Sequence, residues 1–431
     1  MEATNTAFVL IASVLVWFMT PGLAFFYGGL VSTRNVVNTM LSVFYITGIA
    51  ILLWVVCGYE LSFGQDIHGV VGVVHQLFLG DVDLTGRTLG IPRGAYVLFQ
   101  MMFAIITPAL FVGAVVGRIE FRFLTVFIIF WSLLVYYPLV HMVWTPSGWL
   151  AKMGVLDFAG GTVIHINAGI TALVLSVFLG ERQHPDATPY NRPWVLLGTS
   201  ILWIGWYGFN AGSALAPNNQ AVLAALTTSV GAASAMCTWM MLDVWRTGKP
   251  TLLGTCTGAL CGLVGITPAT GYVTVASAAI IGVASTVASY LFVSLVKPKI
   301  HLDDALDAFG CHGISGIVGS LMTGVFASKI ANPNITEGGP LGGGSWHLVW
   351  VQFLGTGVTI ILVGGVTTLI VVVLKHLLPI RVSARAERLG LDLSEHGETV
   401  DHLVPRTQDV LQYPEEFKGQ MGGFKFKNAH R

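Results

Sequence analysis

Nine stretches of the chain contain no Asp, Glu, Lys or Arg: 3–33, 35–59, 94–117, 123–151, 158–180, 193–242, 250–296, 308–328 and 338–374. A membrane-spanning helix needs about 20 predominantly apolar residues, and each stretch is long enough. Two are of double length. The first breaks at Asn-Ala-Gly-Ser-Ala-Leu-Ala-Pro-Asn-Asn (210–219) and the second at Thr-Pro-Ala-Thr-Gly (267–271). Nine stretches with two doubled predict eleven helices. The first carries no positive leader and no A-x-A site followed by polar sequence, so it reads as helix 1 and not as a signal peptide.

Basic residues set the orientation. With the N-terminus outside, the inner loops hold Arg34, Arg118, Arg122, Arg182, Arg192, Arg246, Lys249, Lys297 and Lys299, and the outer loops hold Arg87, Arg93, Lys152 and Lys329. The tail from Lys375 adds more basic residues on the inner side, so the pattern predicts N-out and C-in. Two groups of five helices must run in opposite senses because five is odd. The expected fold is therefore an all-α integral membrane protein of eleven transmembrane helices, an inverted five-helix repeat (1–5 and 6–10) plus helix 11. In such repeats the transport site lies between the halves. A short match supports the repeat: His-Ile-Asn-Ala-Gly-Ile (165–170) in helix 5 and His-Gly-Ile-Ser-Gly-Ile (312–317) in helix 10.

Composition narrows the class further. Of 431 residues 54% are hydrophobic and 10% charged, with a mean hydropathy of +0.73. Soluble chains are about 25% charged, so a soluble globular protein and a disordered chain are both excluded. Lys+Arg (22) balance Asp+Glu (22), leaving no basic excess for nucleic acid. The 51 glycines suit closely packed membrane helices, with ladders at Gly254/Gly258/Gly262 and Gly208/Gly212. The five cysteines, Cys57, Cys237, Cys256, Cys261 and Cys311, show no CxxC or zinc spacing and read as packing thiols.

Ionisable groups at membrane depth are costly and mark function by default. His165, placed two turns into helix 5, and His312, early in helix 10, are the principal candidates. Each could instead be a hydrogen-bonded histidine of the bundle interior. Asp157 and Asp307 precede the two histidine helices and read as helix caps. Glu60, at the outer end of helix 2, reads as interfacial. Phe99, Phe103, Trp144, Trp206 and Phe209 lie near helix ends, where a headgroup belt is the simpler explanation and a cation–π site the sharper one.

The motif Asp157-Phe-Ala-Gly-Gly-Thr-Val-Ile-His165-Ile-Asn resembles the signature of the Amt/Mep/Rh ammonium transporters, on their Amt side. The resemblance extends over Phe26-Tyr-Gly-Gly, Phe99-Gln-Met-Met-Phe-Ala, His141-Met-Val-Trp144, Trp206-Tyr-Gly-Phe209-Asn-Ala-Gly-Ser213, Thr267-Pro-Ala and Asp307-Ala-Phe-Gly-Cys-His312-Gly. It ends at Arg388-Leu-Gly-Leu-Asp-Leu-Ser-Glu-His-Gly-Glu, like the family's cytoplasmic C-terminal motif. The Trp144–Asp157 spacing is one residue longer than the family pattern, and 399–431 match no family motif.

The resemblance implies a transmembrane ammonium channel or transporter domain over 1–380. A cytoplasmic C-terminal region, 381–431, would carry the family-like motif at 381–398 and an unassigned extension at 399–431. It implies an ammonium recruitment site of Trp144, Phe103 and Ser213, supported electrostatically by Asp157. Phe103 and Phe209 would form a gate. His165 and His312 would line the pore with Trp206 beside them and Tyr27 toward the inner side, and Asp307 and Thr267 would take supporting positions. The family's fold implies a homotrimer in the plasma or inner membrane. Ammonium or ammonia would be the substrate, methylammonium an analogue, and a PII-type signalling protein a partner at the cytoplasmic face. No cofactor, metal or nucleic acid is expected. Two rival classes are an ammonium sensor with transport secondary, and a membrane metalloenzyme using His165, His312 and Asp157.

Overall fold

A computed structural model describes residues 2–183 and 188–400. The chain is almost wholly helical. In order, the long helices are α1 (Glu2–Leu30), α2 (Val36–Phe63), α3 (Arg93–Val115), α4 (Phe121–Lys152, turning at 145–148) and α5 (Gly161–Leu179), then α6 (Arg192–Gly212), α7 (Asn219–Thr247), α8 (Leu252–Ile266), α9 (Val275–Ile300), α10 (Phe309–Phe326) and α11 (Trp346–Leu374). Among the described residues nine of these are long and apolar enough to cross a membrane. The exceptions are α6, which is less apolar, and α8, whose 15 residues extend only about 22 Å. Both double-length stretches break where the sequence predicts, between α6 and α7 and between α8 and α9.

Side-chain caps set many helix starts. Asn191 accepts from Trp194 N–H, Asn218 from Ala221, Thr251 from Gly254, Thr274 from Ser277 and Ser345 from His347. Each satisfies a backbone donor left open by the first helical turn. Large apolar side chains such as Ile11, Leu52 and Ile361 stay exposed on outer helix faces, the pattern of a bundle solvated by lipid.

Glycines decide which helices touch. Gly254, Gly258 and Gly262 of α8 lie against Asp243, Trp239, Ala235 and Gly231 of α7, and Gly208 and Gly212 of α6 against Ala12 and Leu15 of α1. The crossing of α5 and α10 is the one that matters for function. A Cβ at Gly169 would stand 2.2 Å from the Gly313 nitrogen, and one at Gly316 would stand 3.2 Å from the Ile166 nitrogen. The glycine four residues after each histidine thus packs on the residue just after the other histidine.

The connection between α2 and α3 holds two small antiparallel hairpins, β1 (Asp66–Ile67) with β2 (Val71–Gly72) and β3 (Arg87–Thr88) with β4 (Ile91–Pro92). Glu60 is buried inside the protein: it is 4% exposed, and its Oε1 accepts the His75 N–H at 3.2 Å. The hairpin loop closes over it.

At the opposite end, residues 381–398 fold back onto the bundle. Arg381 donates to the carbonyls of Leu179 and Glu181 and pairs with Glu387. The Asp392 carboxylate accepts from Val37 and Asn38 N–H at 3.0 and 2.7 Å, capping the start of α2. The extension 399–431 lies outside the described residues from 401 onward.

Candidate functional site

The two candidate histidines sit on wide turns. Gly161–Ile166 and Phe309–Ile314 are both π-helical, a rare geometry in which each turn holds an extra residue. His165 therefore lies in the first turn of its helix, not two turns in. The α5–α10 crossing brings the two turns face to face. The imidazoles of His165 and His312 stack with centroids 5.3 Å apart and planes 12° off parallel. Both are buried, at 1% and 5% exposure.

Among the described residues, neither ring nitrogen of His165 has a hydrogen-bond partner, nor has Nδ1 of His312. Buried polar atoms are normally paired, so these nitrogens are the candidates of this site for contact with a ligand. They border a narrow internal cavity of about 20 Å³, room for roughly one water molecule. The rest of its wall is mainly apolar, with Met19, Leu23, Ile106, Leu202 and Leu260 among the lining. Tyr27 also lines it, with its hydroxyl tied to the Leu110 carbonyl at 2.7 Å.

A column of aromatic rings continues from the histidines. Trp206 and Phe209 stack on His165 at 5.3 and 5.9 Å. Phe103 lies 4.6 Å from Phe209, tilted by 55° instead of stacked, and meets Trp144 edge-on at 5.7 Å. Phe99, Phe103, Trp206 and Phe209 are each at most 1% exposed. They are core residues and not a headgroup belt. Only Trp144 is half-exposed.

Polar atoms orient this column. Trp206 Nε1–H donates to Thr267 Oγ1 at 2.8 Å, and Thr267 donates to the Leu263 carbonyl. Ser213 sits at the C-terminal cap of α6 and donates to the Phe209 carbonyl at 2.8 Å. Trp144 Nε1–H donates to the main-chain carbonyl of Asp157 at 3.0 Å, so the loop before α5 fixes the indole.

The Asp157 carboxylate accepts four backbone N–H groups: Gly160, Gly161, Thr162 and Val163, at 2.6–3.1 Å. Both of its oxygens are thereby committed to the wide turn, which leaves no free donor toward a metal. Among the described residues no three His, Cys, Asp or Glu side chains are gathered to hold one.

Asp307 does not play the matching part. Its backbone is left-handed, at φ 58°, and its carboxylate pairs with Lys297, whose ammonium also donates to the Asp304 carbonyl. Asp304 is the buried cap. It accepts from Ala308, Phe309 and Gly310 at 2.8–3.2 Å. Sequence reading overlooked Asp304, although its distance to His312 equals that from Asp157 to His165. It also overlooked Gln352, a polar residue inside α11, the most apolar of the nine spanning helices among the described residues. Gln352 is fully buried; it accepts the Leu156 N–H and donates to the Leu156 and Ser320 carbonyls. It thereby ties the loop before α5 to α10 and α11.

Comparison with known proteins places this geometry. Residues 7–401 match the model of the Ammonium Transporter Family. The ammonium transporter of Aquifex aeolicus is 44% identical over 405 residues, covering 94% of each chain. Among solved structures, Mep2 of Saccharomyces cerevisiae superposes with a TM-score of 0.82 at 32% identity, covering 94% of each chain. A protein described as a sensor Amt protein gives 0.83 at 28% identity, covering 92% of this chain and 98% of its own.

Proposed function

Because the chain belongs to the ammonium transporter family, a family of transporters and not of enzymes, we propose that it carries ammonium nitrogen across a cell membrane by shedding a proton on the way. An ammonium ion taken bare into a low-dielectric core faces a cost of tens of kcal/mol; neutral ammonia does not. Recruitment of the cation at Trp144, Phe103 and Ser213 draws on cation–π attraction. Passage of ammonia past the Phe103–Phe209 gate then follows. The nitrogen moves along His165 and His312, beside Trp206 and Tyr27. K⁺, which has no proton to lose, is rejected on chemistry and not on size.

The observation that carries this reading is His165, buried and stacked on His312, with both ring nitrogens free of partners among the described residues in an apolar cavity. An imidazole offers one donor and one acceptor when neutral, which suits passage of ammonia or relay of a proton. The test is methylammonium uptake into liposomes by the His165→Ala/His312→Ala chain. Uptake is expected to lose its selectivity or stop while the assembly stays folded; wild-type uptake would sink the twin-histidine route.

In this reading α6 and α8 complete eleven crossings in two inverted halves plus α11, with the N-terminus outside and the C-terminus inside. The paired caps and the reciprocal glycine contacts of α5 and α10 support that symmetry. The reading takes 1–380 as the membrane domain and 381–431 as a cytoplasmic region at which a PII-type protein docks. It places the assembly, a homotrimer, in the plasma or inner membrane. A second reading, a sensor with transport secondary, draws on the likeness to the sensor Amt protein. Ammonium-dependent current in purified protein favours transport; binding without current favours sensing.

A further inference from the structure

Cys261 of α8 and Cys311 of α10 meet where these helices pack on α9, shielded at 0% and 6% exposure. Both thiols belong to one buried cluster with Trp239 and Tyr290. Ser289 donates its hydroxyl to the Gly310 carbonyl at 2.8 Å, so its oxygen accepts the Cys261 S–H at 3.2 Å. Cys311 also lines the cavity and immediately precedes His312 on the same wide turn. Two soft donors therefore stand side by side, one of them open to the pore.

We propose that Cys261 and Cys311 form a binding site for the mercuric ion. Sulfur ligands favour soft metals, and with no third ligand gathered nearby among the described residues the site lacks the four-fold set of structural zinc. Two ligands in line suit the soft d¹⁰ ions. Charge then selects among them. Two thiolates around a divalent ion leave a neutral complex, whereas around Ag(I) or Cu(I) they leave a net negative charge in an apolar bundle, which is costly. Mercuric chloride, itself uncharged, reaches the cavity without the barrier that stops ions. Both S–H bonds break, two Hg–S bonds form, and two protons leave with the two chlorides: HgCl₂ + 2 RSH → Hg(SR)₂ + 2 HCl. The bridge pulls Cys311 toward α8 and moves the turn that carries His312, so transport stops.

The binding test needs no assumption about transport. The full-length chain with Cys57→Ser, Cys237→Ser and Cys256→Ser is loaded with HgCl₂ and washed with a competing monothiol. One mercury per chain is expected to remain, with the ultraviolet absorption of a two-thiolate complex. None is expected to remain once Cys261→Ala is added. No retained mercury in the first chain, or equal retention in the second, overturns the site. A second reading uses Cys261→Ala alone in the otherwise unaltered protein. Loss of the chelating partner is expected to raise the half-inhibitory HgCl₂ concentration in an uptake assay about 10²-fold, the gain typical of two linked contacts. Unchanged inhibition overturns the proposal.

Discussion

Asp304 stands to His312 as Asp157 stands to His165: each carboxylate lies eight residues upstream of its histidine and accepts the backbone N–H groups that open a wide turn. Each histidine is aimed by a buried carboxylate that never touches it.

Asp157→Asn and Asp304→Asn are therefore expected to be destabilising. An amide has one oxygen where the carboxylate has two, so donors now satisfied would face an NH₂ group. A buried donor left unpaired costs about 1–3 kcal/mol. Melting temperature and uptake should fall together in both variants. A stable Asp157→Asn chain with sharply reduced uptake would instead assign the charge a direct part in attracting the cation.

Trp144→Leu removes a ring face at the half-exposed end of the aromatic column while leaving the fold intact. Loss of a cation–π contact of about 0.5–2 kcal/mol predicts a half-saturating ammonium concentration roughly 2- to 30-fold higher. Concentration–response curves of current or uptake measure it, and an unaltered value would leave Trp144 a structural residue.

Gly169→Val places side-chain atoms where the Gly313 main chain already lies, 2.2 Å from the first added carbon. Overpacking against backbone cannot be relieved by a rotamer change, so the loss is expected at or above the usual 1–3 kcal/mol, roughly. Thermal denaturation in detergent is the check. Wild-type stability would show that α5 and α10 can separate without cost.

Asp303 gives the molecule an acid-sensitive latch. Burial alone would raise its carboxyl, but hydrogen bonds and charge from Arg182, with Arg118 nearby, hold it below the ordinary value. A depressed carboxylate adds stability above its unfolded pKa of about 3.9 and loses it as pH falls through the folded value. Melting temperature should therefore decline in acid below about pH 4, and Asp303→Asn should flatten that decline. An identical acid profile in the variant would remove the pair from the account.

Deletion of 381–431 takes away Arg381, Glu387 and the Asp392 cap on α2. Binding of a cognate PII-type protein in a pull-down should be lost and uptake altered. Intact binding and transport would sink the docking role of this segment.

Charge-free stretches located every long helix, because in a membrane the absence of charge is itself the structural signal. The histidine pair was legible for the same reason. Asp304 was not, since choosing it over Asp307 requires knowing that the turn is π-helical and that Asp307 is left-handed and tied to Lys297. Phe103 and Phe209 read as a belt because their position along a helix does not tell which face turns inward. The burial of Glu60 was not legible because the hairpins that cover it have little local signature.

At Gly169 and Gly313 main chain rests on main chain, with no side chain between to act as a spacer. The separation of the two imidazoles is thus gauged by bond lengths and van der Waals radii, quantities that mutation elsewhere cannot retune. Repacking the outer faces for a different lipid or temperature leaves the calibre at the histidines unchanged. On the proposed route, sequence drift can alter what lines the passage far more readily than how wide it is.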